Sequence, residues 1–166
     1  MKILRPLSLL LVAVFSTNAF GGERFAPNNC EFSATFPSQY TAQQGYVAAG
    51  VPFDVAWWAF NGSMLKVECI GINRQIPIAD MVKDTLFRAS RAFGLYGATV
   101  TASNENDGKI ATLTGYKDIQ GMTATYQISF FAGAKTALIV YTGSESQQYP
   151  TKEISNFISS IKPAQR

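Results

Sequence analysis

Phe53–Gly71 reads FDVAWWAFNGSMLKVECIG. Two runs rich in aromatic and β-branched residues flank Asn61-Gly62. Asn-Gly is the two-residue turn whose positive backbone angles suit the twist of a β-hairpin. The runs Phe53–Phe60 and Ser63–Gly71 are therefore antiparallel strands, and a two-residue turn fixes their register. Phe60 faces Ser63, Trp58 faces Leu65, Ala56 faces Val67 and Asp54 faces Cys69. That side is apolar except near its ends and belongs to a core. The other side sets Trp57 against Lys66 and Val55 against Glu68, with Phe53 and Met64 beside them, and is mixed. Asn61-Gly62-Ser63 also fits a glycosylation sequon, but the turn already accounts for those residues.

Working outward, Cys30–Phe36 alternates Cys30, Phe32, Ala34 and Phe36 against Glu31, Ser33 and Thr35, which is a half-buried strand stopped by Pro37. Residues 20–29 read as a loose N-terminal arm and Ser38–Gly45 as a loop. Pro77 opens a helix carrying Ile78, Met81, Val82, Leu86, Ala89 and Phe93 at helical spacing, with Gly94 or Gly97 to end it. Strands follow at Ala98–Ser103, Lys109–Tyr116, Met122–Phe131 and Lys135–Thr142. Turns at Asn106-Asp107-Gly108, Asp118–Gly121 and Gly133-Ala134 separate them. The last turn pairs Phe130 with Ala137, Ile128 with Ile139 and Tyr126 with Tyr141. Thr151 caps a closing helix whose stripe is Ile154, Phe157, Ile158 and Ile161. Short turns between successive strands imply a mostly antiparallel twisted sheet of about six to eight strands. The two amphipathic helices pack against it, giving an α+β class and one globular domain over residues 30–166.

The first nineteen residues read as an address. Lys2 and Arg5 precede an apolar run, Leu7–Phe15, and Thr17-Asn18-Ala19 offers small residues for cleavage before Phe20, the pattern of a secretory signal peptide. The run is too short to span a bilayer, so the expectation is a periplasmic or secreted protein with no stable membrane insertion. Cleavage leaves 147 residues with 12 basic and 11 acidic side chains. No basic cluster marks a nucleic-acid surface. Export places the two cysteines, Cys30 and Cys69, in an oxidising compartment, where an isolated pair forms one disulfide. Both thiols fall on core-facing sides of their strands. The chain has no histidine. That removes Ser-His-Asp and Cys-His catalysis and most zinc sites, and the expectation is a non-catalytic protein without cofactor or metal.

The strand Phe32-Ser33-Ala34-Thr35-Phe36 running into Pro37, Tyr40 just after it, the long middle helix, the antiparallel meander and the closing helix Lys152–Ile161 together resemble the Mog1/PsbP-like family, which includes small exported proteins of the DcrB type. The resemblance is one of topology over most of residues 30–161. It implies a binding or assembly module and carries over no catalytic residues. The Cys30/Cys69 pair is not a general feature of that family.

Candidate binding residues follow from the hairpin. Trp57 lies on the mixed side with Lys66, Met64 and Phe53, a combination suited to a protein or peptide contact; a second-layer core position is the competing reading. Asp54 sits among aromatic residues on an otherwise apolar side, as an acid or as a strand-end hydrogen-bond acceptor. Tyr40, Tyr46, Tyr96, Tyr116 and Tyr149 fall at strand ends or loops and form a candidate recognition rim. The leading expectation is an exported interaction module for a protein or peptide partner. An apolar-ligand or lipid carrier is the alternative, resting on an aromatic content of 13% and strands apolar on both sides. A hydrolase using two of Asp54, Glu68, Glu105, Asp107, Asp118 and Glu145 is third, because no spacing selects a pair.

Overall fold

A computed structural model describes residues 22–47, 51–72, 76–103, 108–146 and 148–164. The leader and most of the Asn106-Asp107-Gly108 turn lie outside these residues. The chain order is β1 (Glu23–Phe25), β2 (Phe32–Phe36), β3 (Thr41–Val47), β4 (Val51–Phe60), β5 (Ser63–Gly71), α1 (Ile78–Phe93), β6 (Tyr96–Ala102), β7 (Lys109–Ile119), β8 (Met122–Ala132), β9 (Thr136–Ser144), α2 (Lys152–Ser160) and β10 (Lys162–Pro163). Seven strands form one antiparallel sheet in the order β3-β4-β5-β9-β8-β7-β6, and β1-β2-β10 form a small one. The fold is α+β, as the turn spacing implies.

The β4–β5 hairpin has the register set by Asn61-Gly62, pairing Trp57 with Lys66 and Asp54 with Cys69. Asn61 and Gly62 both take positive φ, 47° and 70°, the angles a two-residue hairpin turn requires. The large sheet is covered on both sides. On one side α1 lies over β7 and β8, where Val82, Leu86 and Ala89 bury against Leu113, Ile128, Phe130, Ile139 and Tyr141. On the other side α2 and the small sheet enclose Phe32, Ala56, Leu65, Val67, Leu138, Val140, Ile154 and Phe157. Central β9 is buried throughout. This explains its unbroken apolar run Ala137–Tyr141, since a strand covered on both faces needs no alternation.

The disulfide joins Cys30 to Cys69 with Cα atoms 6.0 Å apart, bonding the N-terminal segment to β5. Helix α1 starts after Pro77, whose carbonyl accepts from the amides of Asp80 and Met81. It ends at Gly94 in the left-handed region, φ 64°, as a helix-terminating glycine does. Ile78, expected in the buried stripe, is 42% exposed. Thr151 caps α2 by accepting from the Ile154 amide.

Three expectations are corrected. Residues 20–29 are not wholly a loose arm: Glu23–Phe25 pairs with β2 and Phe25 is buried. Ser38–Gly45 is not all loop, because Thr41–Val47 forms edge strand β3 on β4. Its residues Thr41–Gln44 are all exposed, so no alternation betrays it. Between β8 and β9 the register is offset by two residues: Phe130 faces Ile139, Ile128 faces Tyr141 and Ala132 faces Ala137. An offset of two keeps every side chain on its expected face. Its cause is distant in sequence. The Glu31 carboxylate accepts from the amides of Lys135 and Thr136, at 2.7 and 2.8 Å, and from the Thr136 hydroxyl, holding the turn one residue further along.

Tyr149, just before α2, exchanges a 2.6 Å hydrogen bond with the Thr142 hydroxyl. Burial pushes its phenol up to about 12, against a smaller lowering by that hydrogen bond. In the unfolded chain it ionises near 10. The folded state thus favours the neutral phenol, a contribution fully present below pH 10 and lost as pH rises towards 12. Between those values the protein should lose roughly 2–3 kcal/mol from this group alone. Urea unfolding of the protein and of Tyr149→Phe at pH 9 and 12 checks this: the variant should show the shallower fall, and parallel falls would refute it.

Candidate functional site

Trp57 is 37% exposed. Its exposure follows from where α1 sits. The helix lies over β7 and β8 at one end of the sheet, and among the described residues neither helix makes more than slight contact with β3 or β4 on that side. Trp57 stands opposite Thr41 on β3 and opposite Lys66 on β5. It is therefore not second-layer core.

Lys66 and Glu68 project on the same side, two residues apart on β5. Lys66 Nζ lies 2.6 Å from Glu68 Oε1 and 5.0 Å from the centre of the Tyr141 ring. The Tyr141 hydroxyl donates to Glu68 Oε2 at 2.8 Å. Burial first, then the charge of Glu68 and its hydrogen bond, drive the Tyr141 phenol far above its ordinary range, so it stays a neutral donor. Phe93 from α1 stacks on Tyr141 and Tyr126, with centroids 5.4 and 5.7 Å away. The ridge from Lys66 to Phe93 is thus internally satisfied, and it forms the wall between the helix and the open end of the sheet.

The other candidates separate. Met64 is half-buried against the α1-side core. Phe53 folds across the sheet so that its ring covers Gly45, where a Cβ would collide with it. Tyr40 is not on this side at all. It packs against Phe25 and Phe36, with centroids 6.2 and 4.6 Å away, and its hydroxyl donates to the Arg24 carbonyl.

The tyrosines do not form a rim. Tyr96 and Tyr116 pair at the far edge of the sheet, 6.2 Å apart, and Tyr149 is engaged with Thr142. The side chain of Tyr46 lies outside the described residues. Among the described acids, those with side-chain contacts are taken up separately. Glu68 is held by Lys66 and Tyr141, Asp118 accepts from Tyr96 and Thr123, and Glu105 and Asp107 lie outside the described residues. Among the described residues no three acids or cysteines cluster as metal ligands, and no helix is long and apolar enough to cross a membrane.

No protein-family model matches this chain, and no curated protein matches it. The site therefore has to be read from its own chemistry.

Edge strand β3 was missed by the sequence and borders Trp57. Thr41–Val47 reads TAQQGYV and holds no charged residue and no proline. Exposed edges normally carry lysine, proline or a bulge, because their unpaired amides and carbonyls invite another strand. The opposite edge, β6, has a register irregularity between Tyr96 and Thr99 and a positive-φ Gly97. Strand β3 pairs with β4 without interruption from Thr41 to Val47. Two clefts lie near these elements. One of about 410 Å³ lies between β1, β3 and β4. The other, about 350 Å³ and largely apolar, lies between β2 and α2, lined by Thr35, Phe36, Pro37, Asn156 and Phe157.

Proposed function

We propose that this protein is an exported, non-catalytic binding module that takes an extended segment of a protein or peptide partner onto the β3 edge, with Trp57 as the anchor. The observation that carries the reading is the juxtaposition of an unguarded edge strand and a Trp 37% exposed directly across from Thr41. Strand addition supplies affinity through main-chain hydrogen bonds and specificity through side chains on alternate faces. A partly exposed Trp is the residue type that most often dominates such contacts. Export is supported by the leader pattern and by the Cys30–Cys69 disulfide. A binding role is also what the Mog1/PsbP-like resemblance of the sequence implies.

Panning a random peptide library against the oxidised protein should return ligands that protect the β3 amides from hydrogen exchange. Trp57→Asp should bind them roughly thirtyfold more weakly, a hot-spot loss of about 2 kcal/mol, while its melting temperature stays within about 3 °C. Ligands that leave β3 unprotected and ignore Trp57 would refute the reading.

A carrier of a small apolar ligand is the second reading. It is favoured by the apolar cleft between β2 and α2, whose volume falls at the low end of ligand sites. Native mass spectrometry of the exported protein, purified without detergent, separates the two: a retained adduct supports the carrier, and a bare chain supports the edge-binding module.

A further inference from the structure

Asp54 is 6% exposed, yet among the described residues its carboxylate makes no hydrogen bond and no ion pair. Its oxygens are not among the sealed, unpartnered polar atoms of the described residues, so an otherwise buried side chain presents its carboxylate to the cleft with no protein group occupying it. Asp54 also lines the cleft of about 410 Å³ between β1, β3 and β4. Gln44 faces it across the β3–β4 ladder. Phe25 and Tyr40, edge to face at 75°, are part of the same lining. The Tyr40 hydroxyl is already engaged with the Arg24 carbonyl, so what Tyr40 offers the cleft is its ring.

We propose that this cleft is a binding site for an organic cation, a primary ammonium or guanidinium group on an apolar stem such as a lysine or arginine side chain. Asp54 receives the charged head, because its carboxylate faces the cleft with no protein partner to displace. The rings of Phe25 and Tyr40 accept the stem and add attraction between the cation and their faces. The Gln44 amide supplies a further acceptor. Arg24 stands exposed in the lining, makes no ion pair among the described residues, and is the natural competitor. Its guanidinium raises the local positive charge and weakens a bound cation, so removing it strengthens binding. The site is independent of strand addition at β3 and requires no partner strand.

The test is a ¹⁵N NMR titration of the oxidised protein with Nα-acetyl-lysine N-methylamide and with its neutral norleucine counterpart. The lysine probe should shift the amides of Gln43, Gln44, Asp54 and Val55 saturably, and the norleucine probe should bind at least about tenfold more weakly. Asp54→Asn should lose the same factor and melt no lower than the parent, because no hydrogen bond or ion pair within the described residues is lost with the carboxylate. Arg24→Gln should bind the lysine probe more tightly. Equal binding of the two probes, absence of saturable shifts, or an Asp54→Asn variant that melts about 5 °C lower or more, marking the carboxylate as a structural acceptor, would each overturn the proposal.

Discussion

Replacing Cys30 and Cys69 together by serine should lower stability by about 4 kcal/mol, or roughly 10–15 °C in melting temperature. The bond closes a loop between residues 39 apart in sequence, and most of the expected loss is conformational freedom regained by the unfolded chain. The folded state also feels the change. Both sulfurs are buried, Cys30 at 1% and Cys69 at 3% exposure, and the bond joins the N-terminal segment to the large sheet beside Glu31. Serine would leave two hydroxyls in that core. Thermal unfolding of the oxidised parent and of the double variant checks the figure. A difference below about 1 kcal/mol would mean that the hydrogen bonds of Glu31 and the apolar layer between the two sheets hold them together without the bond.

Phe157→Ala should cost about 3–5 kcal/mol. Phe157 is 1% exposed, and its ring centre lies 4.9 Å from that of Phe36. It is the contact through which α2 grips β2, and Phe36 in turn holds Tyr40. Truncation leaves a cavity in the layer between the small sheet and α2, where the backbone of Thr35 is also tied to Ser160 at 2.8 Å. Phe93→Ala on the opposite side is the comparison. Phe93 is only partly buried and should cost less. Urea denaturation of both variants orders them, and the reverse order would show that the α1 side carries more of the stability. If the β2–α2 cleft holds an apolar ligand, Phe157→Ala should also enlarge it.

The hairpin was legible because Asn61-Gly62 admits one turn geometry and the alternation on both strands admits one register. The closing helix was legible for a similar reason: Thr151 and the Ile154–Ile161 stripe each point to the same boundaries. What escaped reading was set by partners remote in the chain. The Ala134-Lys135 turn is positioned by Glu31, and no local signal distinguishes it from Gly133-Ala134. The β3 strand carries no apolar alternation because it is an edge with exposed side chains, so only pairing with β4 reveals it. Trp57 was assigned to the right side of the sheet by register alone, but its exposure depended on where α1 came to rest. Tyr40 shared the aromatic character of Trp57 and was grouped with it, yet its neighbours Phe25 and Phe36 draw it to the other side. There it meets Asp54, a juxtaposition that neither residue announces.

The first and last strands of the described chain, β1 and β10, flank the same strand, β2, and both run antiparallel to it. They are therefore parallel to each other and about 10 Å apart, two interstrand spacings. Tension applied at the outer ends of this pair pulls along the strand axes in opposite directions. The ladder bonds on each side of β2 then share the load and must yield together rather than one after another. Should they yield, the extension drawn from the N-terminal side halts at the Cys30–Cys69 bond, which withholds about 130 Å of contour length. The hairpin that bears Trp57 falls largely inside that withheld loop, so the oxidised β3 edge of the sheet would outlast mechanical loss of the terminal strands.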